Sequence, residues 1–119
     1  MNVQQYDEDL VKFIAPTEGV VAGIPVAIKS LFLVPLSTKN AGEECEGLVE
    51  GHLDLPKAAE AVDAGDPAYF DDSTSVMTKT LAGTMLRVGK FTADALSTDA
   101  TARVLFDGVN AVPETAPGA

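Results

Sequence analysis

Between residues 45 and 55 the chain alternates. Cys45, Gly47, Val49, Gly51, Leu53 and Leu55 fall on one side; Glu46, Leu48, Glu50, His52 and Asp54 fall on the other, with Leu48 alone interrupting the polar set. A period of two held this long predicts one strand with a buried and a wet face. Its glycines predict a bend or the close approach of another backbone. Shorter runs read as further strands: LVKFIA (10–15), PVAIK (25–29), LFLVPLS (31–37), AYFD (68–71), SVMTKT (75–80), MLRVGKF (85–91) and TARVLFD (101–107). Glycine and proline punctuate them at roughly the eight-to-twelve-residue spacing of an all-β sandwich or barrel.

The period changes once. In PKAAEAVDAG, Pro56 stands where a helix would begin and Gly65 where it would stop. The small residues Ala58, Ala59, Ala61, Val62 and Ala64 would let such a helix lie close against a sheet. A helix this short is not stable alone, so packing would have to hold it. The predicted fold is therefore mainly β: a small single-domain barrel or sandwich over residues 9–109, with one short helix at about 57–64 between strands. A polar N-terminal arm, 1–8, precedes it, and a flexible Pro- and Ala-rich tail, 110–119, follows.

At 119 residues the chain suits one domain with a core of its own. Aromatic residues are only 6% of it and tryptophan is absent, which leaves Val, Leu and Ala to fill most of that core. Eighteen acids against eight bases give a formal charge of −10, which argues against direct contact with nucleic acid, where Lys and Arg must neutralise phosphates. The charge is most simply a source of solubility. The N-terminus lacks the cationic start and apolar run of a secretory signal, and no apolar stretch approaches the length of a membrane span. A soluble protein of the cytoplasm is the expectation.

Cys45 and His52 are the obvious candidates for a nucleophile and its base. Seven positions apart on one regular strand, they point to opposite faces. Cys45 then reads as a small core residue and His52 as a solvated strand residue or an interface contact. Glu46, Glu50, His52 and Asp54 share a face, but i and i+2 neighbours lie roughly 6.5–7 Å apart, too far to hold one ion without a second strand. The single cysteine forms no intrachain disulfide, and no CxxC, GxSxG, GxxxxGKS/T or HExxH motif occurs. A hydrolase using His52 with Asp54 or Glu50 is the weakest of the readings. The expectation is no enzyme, no cofactor and no metal.

Three segments come in a recognisable order: APTEGVVAGIPVAI, then EGHLDLPKAAEAVDAGDPAYFDD, then MLRVGKF followed by TARVLFDG. Over about residues 9–109 they resemble a family of phage capsid cement, or decoration, proteins, small all-β proteins long treated as a domain of unknown function. The most specific piece is LPKAAEAVDAGDPAYFD. Some relatives have carried a recombinase label, which no phosphate loop in this sequence supports. The polar arm and the strong acidic excess depart from the family pattern.

The resemblance implies a structural protein that binds the outer surface of an assembled phage head, bridges neighbouring major capsid proteins and stabilises the shell. It implies a homo-oligomer on the capsid, a trimer being favoured, and a place on the outside of the virion. Docking contacts are expected in the arm, at Asn2, Val3, Gln4, Gln5 and Tyr6, and in the loop that carries Lys39 and Asn40. The competing reading is a ligand- or glycan-binding β domain used in host adsorption, against which the scarcity of aromatic residues counts.

Overall fold

The structure, a computed structural model, describes residues 9–117. Among these residues ten strands form two antiparallel sheets. The smaller sheet has the order β1-β4-β3-β2, from Leu10–Ile14, Glu44–Leu48, Leu31–Pro35 and Val26–Ile28. The larger has the order β5-β9-β8-β6-β7, from Glu50–Pro56, Thr101–Asp107, Thr84–Phe91, Pro67–Asp71 and Val76–Thr78, and β10, Val112–Thr115, pairs with β8. The larger sheet coils until its end strands approach, touching at an isolated bridge between Lys57 and Met77. It does not close, so the arrangement is two sheets and not a barrel.

The long alternating segment is divided. Strands β4 and β5 belong to different sheets, with Val49 the only residue between them. The Val49 amide donates to the Asp9 carbonyl beside β1 at 2.7 Å, and the Val49 carbonyl accepts from the Gly108 amide beyond β9 at 2.6 Å. One residue thus bonds to both sheets, which is how the chain changes sheet without losing its inside-outside alternation. Cys45, Gly47, Val49 and Leu55 are buried, while Glu46, Glu50, His52 and Asp54 are exposed.

The short helix expected at 57–64 is absent; among the described residues there is no helix at all. Pro56 instead ends β5, opposite Thr101. The amides that a helix would turn inward go to neighbouring segments: Lys57 to the Ala100 carbonyl, Ala58 to Met77, Val62 to Ala95 and Gly65 to Phe91. Ala64 donates to the Asp94 carboxylate at 2.8 Å. Partners on three flanking segments outcompete the propensity of a short alanine-rich run, whose isolated helix is unstable in any case. The buried Lys57 fixes the result, its Nζ donating to the carbonyls of Ala58 at 3.0 Å and Glu60 at 2.7 Å.

The main core lies between the sheets. Phe32 and Val34 from β3 meet Leu55, Phe70, Val88, Phe91, Val104 and Phe106 of the larger sheet. Phe32 contacts Phe70 and Phe106 edge to face, with ring centroids 5.2 and 5.4 Å apart, an arrangement favoured by the ring quadrupoles. A scarce residue type is thus concentrated at the seam. A smaller cluster of Ala15, Val20 and Cys45, with Phe13 and Val26 packed on it, belongs to the smaller sheet. Strand β10 lies in the segment expected to be a loose tail, and pairs Val112 with Arg87 and Thr115 with Thr84.

Candidate functional site

The outer face of the larger sheet can be built up row by row. Along β9, Ala102, Val104 and Phe106 are buried, whereas Thr101, Arg103 and Leu105 are exposed. Register places Asp54 opposite Arg103, His52 opposite Leu105 and Glu50 opposite Asp107; on its other side Leu105 faces Lys90 of β8. The first row is balanced by an ion pair, Arg103 Nε to Asp54 Oδ1 at 2.8 Å. In the second, His52 Nε2 lies 2.7 Å from the Thr92 hydroxyl, and Leu105 is 54% exposed between two polar neighbours. The third sets like charges directly opposite one another, an unfavourable cross-strand pair.

That third row has local support on one side only. Asp107 accepts from the amides of Val109 and Asn110 and from the Asn110 side chain, which holds its carboxyl below the ordinary value. Among the described residues Glu50 has no such amide donors. A hydrogen bond with Asp9, and then the charge of Asp107, push the Glu50 carboxyl up from its ordinary value. Asp9, Glu50 and Asp107 line one groove of about 540 Å³ together with Gly51, Gly89, Lys90 and Leu105.

The residues singled out from sequence do not converge. Cys45 is buried in β4, its Sγ 3.7 Å from the Ser37 carbonyl, while His52 is exposed on β5 in the other sheet. No nucleophile-base pair forms between them. Among the described residues no group of three or more His, Cys, Asp or Glu side chains could hold a metal ion. The polar clusters that exist serve the chain's own turns. Asp71 accepts from the Ser73 amide and hydroxyl, an Asx-type turn in the DDSTS run. Glu60 accepts from the hydroxyls of Thr78 and Thr80 and the Lys79 amide.

Of the expected docking residues, Asn2, Val3, Gln4, Gln5 and Tyr6 lie outside the described residues. Lys39 is half-buried in the β3-β4 loop, where its amide and carbonyl exchange hydrogen bonds with those of Val20. Asn40 is exposed, and its amide donates to Glu43 Oε1 at 2.8 Å. The loop is therefore tied down at its base. Sequence reasoning passed over Leu105, although the alternation in TARVLFD puts it on the same parity as Arg103 and Asp107 and so marked it as an apolar residue on a wet face.

These features define a small all-β domain of two sheets whose buried polar groups serve its own loops. A family model described as a phage cement protein matches residues 3–106, and the chain belongs to that family. The family description implies a structural role associated with the phage capsid. Comparison with curated proteins gives no match.

Proposed function

We propose that the protein binds the outer surface of the assembled phage head, bridges neighbouring major capsid proteins and so stabilises the shell. The observation that supports this reading is the family match, which runs through almost the whole chain. The physics agrees with it. A strongly acidic exterior keeps free copies soluble and apart from packaged DNA, and the edge of β1, which pairs with no further strand among the described residues, is of the kind that a partner strand covers. On the head the protein acts as a homo-oligomer, with a trimer favoured. The arm residues Asn2 to Tyr6, together with Lys39 and Asn40, contribute docking contacts.

Co-sedimentation of the purified protein with heads assembled without it is the test. Saturable binding at a fixed ratio to the major capsid protein, with heads that then survive heating better, is the expected result; no binding to intact heads would sink the proposal. Removing residues 1–8 is expected to leave a folded domain that sediments with heads more weakly than the intact chain. Equal binding would take the arm out of the docking surface.

A further inference from the structure

Leu105 is a large apolar side chain 54% exposed in the middle of a seven-residue strand, where the alternation of β9 leaves only polar neighbours. It stands at the side of the groove where β5, β9 and β8 run together. The cross-strand row Gly51–Phe106–Gly89, whose Phe106 ring points into the core, forms the floor of the groove between the outward rows at Leu105 and Asp107. Gly89 cannot be otherwise: a Cβ there would run into the Leu105 carbonyl. Strands β8 and β9 thus approach closely at the floor, and among the described residues nothing covers Leu105 beside it.

The charge at the groove selects its occupant. Asp9, Glu50 and Asp107 stand there against one cation, Lys90. Asp54 on the same face is already paired with Arg103. A second copy of this chain, with 18 acids and 8 bases, is a poor match for such a rim. A partner segment with an apolar side chain next to a Lys or Arg is a good one, because the apolar group covers Leu105 while the cation relieves the Glu50–Asp107 repulsion.

We infer that the groove flanked by Leu105 and rimmed by Asp9, Glu50 and Asp107 is a docking surface for a basic-apolar segment of the shell protein. This rests on the proposed capsid role and adds a contact to it, on the opposite sheet from Lys39 and Asn40. The geometry at Glu50 supports it: Asp107 stands directly opposite on β9, and together with Asp9 it raises the Glu50 carboxyl from its ordinary value, a shift that a bound cation would oppose.

The experiment compares Glu50→Lys, Leu105→Thr and a control, Leu96→Ser, for binding to heads assembled without the protein, at low and high salt. Leu96 is exposed in the β8-β9 loop, outside this groove. Glu50→Lys removes a like-charge contact, and threonine suits an exposed strand position, so circular dichroism is expected to show both variants folded. The expected result is binding at least about tenfold weaker for each, with the salt dependence reduced in Glu50→Lys only, and the control unchanged. Wild-type binding to heads with both variants equal to it would overturn the groove and leave the capsid role standing. No wild-type binding would overturn both. A change in the sedimentation coefficient of free Leu105→Thr would assign the groove to a second copy, and would overturn the inference as well.

Discussion

At the scale of single residues, the joint between the sheets depends on an atom that is missing. The Gly108 amide donates to the Val49 carbonyl and its carbonyl accepts from the Phe32 amide at 3.3 Å. A Cβ on Gly108 would collide with the Phe32 carbonyl. Gly108→Ala is expected to lower stability by about 3 kcal/mol, as overpacking of a well-filled site does, and urea denaturation would measure it. Glu60 makes a different kind of joint. Partial burial pushes its carboxyl up, but the hydrogen bonds from Thr78, Thr80 and Lys79 outweigh this and leave it below the ordinary 4.5. Its contribution is therefore present above that value and lost as pH falls through the lower, folded one. Thermal melts between about pH 3 and pH 7 are expected to show a shallower acid loss in Glu60→Gln than in the wild type. Neither role was legible beforehand. Gly108 follows an aspartate at a strand end and looks like any turn glycine, and the partners of Glu60 lie some twenty positions on.

Elements were legible where their own period sufficed. The alternation in 45–55 matches the burial of Cys45, Gly47, Val49 and Leu55 and the exposure of Glu46, Glu50, His52 and Asp54, but Leu48, placed on the wet side, is half-buried against the main core. Nor could it show that the run serves two sheets, because the division at Val49 depends on partners at Asp9 and Gly108. The 57–64 segment fails for the same reason in reverse: its local signals favour a helix, and distant carbonyls take the amides. Strand β10 was passed over because VPET is short and contains proline. It is held by pairing to β8 and by Glu114, which accepts from the Tyr69 hydroxyl at 3.1 Å and lies 3.7 Å from Arg87. Pro113 suits such an edge, since it offers no amide to a further strand. Removing residues 112–119 would bare the β8 edge at Thr84 to Arg87. The truncated chain is expected to melt lower and to self-associate, which sedimentation at several concentrations would detect.

On the scale of the whole molecule, the two sheets share one core. Phe32 and Val34 enter it from the smaller sheet, and most of the rest comes from the larger. Neither sheet can lose its partner and keep its apolar face covered, so heat denaturation is expected to follow one transition. Far-ultraviolet circular dichroism and tyrosine fluorescence should give coincident curves, and separated midpoints would mean that the sheets melt independently. The continuity of the backbone through Val49 bears on load. In the proposed bridging role the protein would be pulled along its length, between whatever grips one sheet and whatever grips the other. With a single residue between β4 and β5, that pull passes straight from one hydrogen-bonded ladder into the next, with no slack loop to pay out first. In that role the molecule would act as a tie rod, sharing the strain of the lattice from the first ångström of expansion.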